Sequence, residues 1–398
     1  MTTPNSPKTA PIKTTPTILQ GGFRIMFFMA ALWAAYVMIA WISFWAAGTE
    51  LPSGAMLPQD WHMHSILYGF APAVLGGFLL TAIPNWTDTK MITGTPLALL
   101  AVLWALGRVA VWLSGGLPLV VVIILDIAFL LALLIISARI LIKSGNQKNM
   151  PVLGIILLFL TGQIFFDVIS LAGGYAAISP GGKLSVSAII LLLSLIGGRI
   201  IPAFTRNWLI KQEAKALPVM FGRFDKIVVG VSAVSLCTWV LFEPNLITGL
   251  LFIFSGVLHL VRLSRWEGKQ TGSALIVLML HLAYSFVPLG FLLNGLSMFV
   301  PETIPALAGQ HAWLSGAMGA MMLAVMTRAS LGHSGRELRT TWREVFIYGM
   351  ILIASVVRVI AAFPTPEFLL HIAATAWILA FAGFAVLYAP VLLSKAKE

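Results

Sequence analysis

From Phe23 onward the chain is a succession of apolar stretches, each close to the roughly 20 residues that a hydrocarbon layer of ~30 Å demands of a helix. They fall near residues 23–47, 62–84, 94–114, 117–142, 151–173, 184–205, 224–242, 245–263, 272–298, 304–327, 341–363 and 368–393. Lipid offers a backbone no hydrogen-bond partner, so a chain built this way satisfies its amides only as spanning helices. The expected fold is all-α, a polytopic bundle of about twelve transmembrane helices in one domain, residues 22–398. The longest basic loop, 206–226, divides it six plus six. Composition agrees, with 59% hydrophobic and 10% charged residues, beyond what a water-soluble core uses. The first 21 residues, polar and carrying Pro4, Pro7, Pro11 and Pro16, read as a disordered cytoplasmic tail. Between the halves only scraps match, such as Gly22-Phe23-Arg24 with Gly198-Arg199, which is no duplication.

A net charge of +11 could signal nucleic acid, but its distribution excludes that reading. Lys and Arg fall on alternate loops: Lys8, Lys13 and Arg24, Lys90, Arg139 to Lys148, Arg199 to Lys226, Arg262 to Lys269, Arg328 to Arg343, Lys395 and Lys397. By the positive-inside rule that side is cytoplasmic and both termini are inside. The opposite loops carry Glu50, Asp60, Glu243, Glu302 and Glu367, with Lys183 the single basic residue. One cysteine, Cys237, expected to be buried within a span, allows neither a disulfide nor an iron–sulfur cluster. Any metal must be held by His, Met, Asp, Glu or backbone.

Ionisable groups at membrane depth are costly and mark candidate sites. His62 and His64 open the second span. In a helix, residues two apart point about 200° from each other, so the pair would serve two centres on opposite faces; if Trp61 to Met63 is an extended turn, one metal could be held by both. His311 lies at similar outer depth on the tenth span and His281 near the midplane of the ninth. His259, His333 and His371 lie near boundaries, where histidines are usually structural. Met318, Met321, Met322 and Met326 follow His311, and such stripes are usually packing. Asp126, roughly 13 Å into the fourth span, must face the bundle, with Arg108 a partner within reach. Arg108 and Arg358 near span ends can also snorkel. Tyr68, Asp126 and Asp167 are candidates for moving protons. Neutral imidazole at such depth suits haem b or copper.

Several motifs occur together. Trp61-His62-x-His64 leads to Gly69-Phe70 and then to Gly77-Phe78-Leu79-Leu80-Thr81-Ala82-Ile83-Pro84-Asn85-Trp86-Thr87; further on come Gly197-Gly198-Arg199-Ile200-Ile201-Pro202-Ala203-Phe204-Thr205-Arg206-Asn207 and Met326-Thr327-Arg328-Ala329-Ser330-Leu331-Gly332-His333-Ser334-Gly335-Arg336. With His311 and His281-Leu282-Ala283-Tyr284 they resemble the NnrS family of bacterial membrane proteins. The resemblance runs from Gly21 across nearly the whole chain. It implies an inner-membrane protein containing haem and copper and linked to nitric oxide metabolism and nitrosative stress. It also implies cofactor roles for His62, His64, His281 and His311, with His333 a further motif position for metal. Ser65 departs from the acidic residue expected after the His-x-His pair.

Three functions remain open at this level. The first is an oxidoreductase that binds nitric oxide and reduces or scavenges it, drawing electrons from a quinol or cytochrome. The second is a metal or haem carrier, since the second span has the Gly and Pro interruptions of broken-helix transporters. The third is a haem-based nitric oxide sensor without turnover. For the first and third, the expected ligands are His64 and His311, with rings packing over Gly69 and Gly76 and over the small residues after His311, and His62 serving a second centre.

Overall fold

The computed structural model describes residues 15–394. Most of the expected tail, residues 1–14, lies outside the described residues. Thr17–Leu19 form a short 3-10 turn, and twelve helices follow, with no strand among the described residues. They are α1 (Gly22–Ala47), α2 (Pro58–Thr87), α3 (Thr95–Trp112), α4 (Leu119–Lys143), α5 (Met150–Leu171), α6 (Pro180–Lys211), α7 (Arg223–Leu241), α8 (Leu246–Ser264), α9 (Leu275–Ser297), α10 (Ala306–His333), α11 (Trp342–Ile360) and α12 (Phe368–Leu393). All but α11 are long and apolar enough to cross a membrane; α11 carries Arg343, Glu344 and Arg358. The chain is a multi-pass membrane protein.

Successive helices pack on one another and α12 returns to α1, closing a ring. Inside it stand α2, α6 and α10, whose most apolar windows are 89%, 78% and 72% buried, the three highest values in the bundle. Contacts join α10 to both α2 and α6, and a hydrogen bond from the Tyr68 hydroxyl to Ser185 Oγ (2.6 Å) joins α2 to α6. The inner position therefore recurs every fourth helix, a period that comparison of chain halves could not detect. Around the ring, apolar side chains face outward as in any lipid-facing bundle; Cys237, expected inside, is exposed on α7.

Two of the inner helices share a local design. In α2, Pro58 starts a short α-helical segment that ends at His64 and passes into a π-helix, Ser65–Phe70, before α-geometry resumes at Ala71. In α10 the α-helical segment Ala306–His311 follows Pro305 and passes into a π-helix, Ala312–Ala320. In both, proline precedes the histidine by six residues and a glycine, Gly69 or Gly316, follows it by five. π-geometry widens the helix and misaligns its hydrogen bonds, so carbonyls need partners from elsewhere. In α2 they find them: Trp33 Nε1 donates to Ser65 O (2.8 Å), Trp104 Nε1 to Gly69 O (2.8 Å) and Arg108 Nη1 to Tyr68 O (2.7 Å). In α10, Ser355 Oγ donates to Ser315 O (3.0 Å). The glycines admit the neighbouring rings: Trp33 occupies the space a Cβ on Gly69 would fill, and Phe286 the same space at Gly316.

A buried ion pair lies toward the other end of the bundle. Arg262 on α8, fully buried, donates from Nε to Asp225 Oδ1 (2.7 Å) on α7 and from Nη1 to Ser194 O on α6 and Tyr284 Oη on α9 (both 2.8 Å). Four helices thus converge on one guanidinium, which packs where a methyl on Gly198 would lie. Gly198→Ala is expected to displace Arg262 from Asp225 and lower the detergent-state unfolding temperature sharply, at a cost of about 3 kcal/mol or more for the broken buried pair. A variant that melts with the unmodified protein would refute this account.

Candidate functional site

Tyr68, His64, Arg108, Asp126, Gln163 and Asp167 meet near the His62 end of the bundle, brought there by α2, α3, α4 and α5. Asp126 does face the bundle interior and pairs with Arg108, as its depth required: Arg108 Nη2 donates to Asp126 Oδ1. The other oxygen, Oδ2, accepts from Gln163 Nε2 (2.6 Å) and from His64 Nε2 (2.9 Å). Asp126 is thus an acceptor on both oxygens and stands as a carboxylate. Asp167 Oδ1 lies 3.3 Å from the same His64 nitrogen, yet neither Asp167 oxygen has a hydrogen-bond partner, because the single Nε2 proton is directed to Asp126. Both acids and the imidazole are buried.

Charge counting shows what this cluster does. Two carboxylates face one permanent cation, Arg108, so a second positive charge is needed for the buried group to be neutral. His64 and Asp167 supply the place for it: one proton shared between an imidazole and an otherwise unpartnered carboxyl. His64, Asp126 and Asp167 also have the mutual spacing of metal ligands. Asp126 already accepts from a guanidinium, an amide and an imidazole, and His64 Nε2 is committed to it as a donor, so an ion held by all three residues would have to displace the His64–Asp126 hydrogen bond. The arrangement leaves room for one proton between His64 and Asp167. A cavity of about 460 Å³, lined by Trp33, Glu50, Trp61, His64, Ser65 and Arg108 among others, connects it to exposed Glu50 at the His62 end.

His62 turns the other way. Trp61 to Met63 are helical, so the two rings point to opposite faces as expected of the helical case and cannot share one ion. The His62 ring stacks on Trp41 (4.4 Å between centroids), and its Nδ1 is buried with no partner. His311 is within electrostatic reach of this ring, and Arg358 is within reach of both. His311 Nδ1 donates to Leu307 O (2.9 Å), which fixes the tautomer and leaves the Nε2 lone pair free, the form in which imidazole ligates a metal. Arg358 Nη1, buried, has no protein acceptor.

Residues 17–395 match the family described as NnrS protein. The chain belongs to the NnrS family. No curated protein matches it. NnrS membership suggests a nitric oxide-related membrane protein.

In this NnrS chain the two histidines of the pair face opposite ways as expected, but their expected partners are exchanged. His62, rather than His64, is the neighbour of His311. The glycine surfaces expected to accept a macrocycle are filled from within, Gly69 by Trp33, Gly76 by Phe129 and Gly319 by Trp377. His281 is not at the midplane: it lies in the second turn of α9, at the end opposite His62, and its Nε2 donates to Thr205 Oγ1 (2.8 Å) while Nδ1 is buried without a partner. His333 closes α10 at that same end, its ring 5.7 Å from Phe23. His259 has the structural role expected of it. Tyr284 donates to its Nδ1 (2.9 Å), and its Nε2 donates to Ser232 Oγ (2.9 Å), so no lone pair is left for a ligand.

Sequence reading had not singled out Gln163, Ser185 or the Arg262 network. Gln163 could have been found, since it precedes Asp167 by one helical turn and so shares its face. Arg358 had a bland explanation in snorkelling, and only the position of α11 against α10 places it beside His311.

Proposed function

We propose that this protein reduces nitric oxide at a redox metal held by His62 and His311, haem b iron or copper, using protons stored at His64 and Asp167. The observation that carries the reading is the turn Trp61–Ser65. It aims two imidazoles in opposite directions, one toward a donor pair with free ring nitrogens, the other into a closed acid–base cluster. Two neutral imidazoles are a donor set that both haem iron and copper accept. The metal, when bound, would supply a nitric oxide ligation site and one-electron chemistry. The rest falls to the chain. The Leu307 carbonyl holds the His311 tautomer, Trp41 orients His62, and Arg358 offers an unpaired cation to a negative group such as a haem carboxylate or a developing anion.

The reaction consumes two nitric oxide molecules, two protons and two electrons and yields nitrous oxide and water. Nitric oxide dissolves in lipid and needs no aqueous channel, whereas protons do need a route; the cavity from Glu50 to His64 and Arg108 offers one. In this reading the protein lies in a bacterial inner membrane with both termini in the cytoplasm, and a quinol or cytochrome supplies the electrons.

Metal analysis and the optical spectrum of purified His62→Ala and His311→Ala test it. Each is expected to lose most of the bound metal, with a Soret band lost if the metal is haem and a copper signal lost otherwise, while His259→Gln keeps both. Steady consumption of nitric oxide with an electron donor separates turnover from sensing. Full metal content in both alanine variants would overturn the ligand assignment.

A further inference from the structure

The three long motifs at 77–87, 197–207 and 326–336 are not accounted for by the histidine sites, which lie toward the other end. Their positions in the bundle converge. A second cavity, of about 310 Å³, opens where the three inner helices meet, lined by Phe78 and Thr81 from α2, Ile200 and Phe204 from α6, and Arg328 and His333 from α10. Every inner helix contributes from its motif.

The chemistry of the lining is specific. The walls are apolar and partly aromatic. The Arg328 guanidinium carbon sits over the Phe204 ring, 3.7 Å from its centroid. Among the described residues no carboxylate pairs with Arg328, and the cavity lining holds no acidic group. Its planar donors therefore present to the cavity without a counter-charge. His333 adds a group that both donates and accepts a proton. The lining passes from the buried Thr81 to the exposed Gly332 and His333, so an occupant would have an apolar body and an oxygen-bearing head.

We infer that this cavity binds a membrane quinol, the electron donor for the activity proposed above, and the inference rests on that reading. A flat ring packs beside Phe78 and Phe204, one ring oxygen accepts from Arg328, and His333 takes a proton from a ring hydroxyl. Oxidation of one quinol to quinone releases two protons, which leave one after the other through exposed His333 to solvent, and two electrons, which pass to the redox metal and match the two-electron demand of joining two nitric oxide molecules. A phospholipid phosphate would also seek the guanidinium, but it makes no use of the aromatic side chains Phe78 and Phe204 or of the imidazole.

The test uses the full-length protein in lipid nanodiscs, labelled with a photoreactive azidoquinone. Label is expected within residues 78–82, 200–204 or 325–333. Arg328→Gln and the cavity-filling Ala329→Phe should each lower labelling about tenfold, as loss of a charge-assisted hydrogen bond or of space implies. The same variants should lower quinol-driven nitric oxide consumption by a similar factor relative to consumption driven by a water-soluble dye. Label placed elsewhere, or label here that an anionic phospholipid competes away while both variants retain it, overturns the inference. Dye-driven consumption absent from the unmodified protein, with labelling intact, would remove the proposed reaction and leave the quinone site standing.

Discussion

Asp126→Ala is expected to be among the most destabilising single changes in the bundle. It removes the counter-charge of Arg108, which is only 8% exposed, and with it the acceptor of both Gln163 and His64. Leaving a buried guanidinium uncompensated costs about 3–5 kcal/mol. Arg108 also holds the π-helical carbonyl of Tyr68, so the damage extends to the turn that carries His62. Thermal unfolding in detergent should drop accordingly, and Asp126→Asn, which keeps shape and some acceptor capacity, should fall between. An alanine variant with unmodified stability would show that the ion pair is not what fixes this end of the bundle.

Asp167→Asn should have the opposite profile. Asp167 has no hydrogen-bond partner in the cluster, and its charge is the one in excess, so replacing it with a neutral isostere should leave stability equal or slightly higher. Turnover should suffer, because a positioned acid or base contributes on the order of 10²-fold or more to proton-coupled steps. The measurement is nitric oxide consumption against metal content: loss of rate at full metal loading is the expected result. A variant that turns over normally would place the proton source elsewhere, and Tyr68 with Ser185 is the next group along α2.

These two aspartates also show what could be read from the residues alone. Twelve helices were legible because each span must be about 20 apolar residues, and the pairing of Asp126 with Arg108 because an acid at that depth has few alternatives. The grouping of histidines was not. Residue counts give depth along a helix but not azimuth around the bundle, so His64 and His311, alike in depth, looked like partners; the ring arrangement puts His62 there instead. His281 was misplaced for a related reason, since the expected span began at 272, directly after the 3-10 turn Gly268–Thr271, whereas the helix begins only at Leu275 and so leaves His281 nearer its end. The π-helices left no sign in the apolar pattern, because both stretches are buried on nearly every side and carry no polar face to reveal a change of pitch. Trp33 and Trp104, which donate to the freed carbonyls, gave no signal in the sequence, because only the irregular backbone supplies them with acceptors.

The widened segment of α2 has a consequence for how the helix is shared. One end of α2 presents His62 and His64, and the other presents Phe78 and Thr81 to a separate cavity. A regular helix would lock the angular phase of one end to the other, at about 100° per residue. Ser65–Phe70 act as a phase adjuster between them, and the same device recurs in α10 between His311 and Arg328. Because a π-turn holds about one residue more than an α-turn, regularising either stretch at constant length would rotate one site by roughly a quarter turn or more against the other. Converting either stretch to regular helix without changing its length would desynchronise the two ends of the molecule.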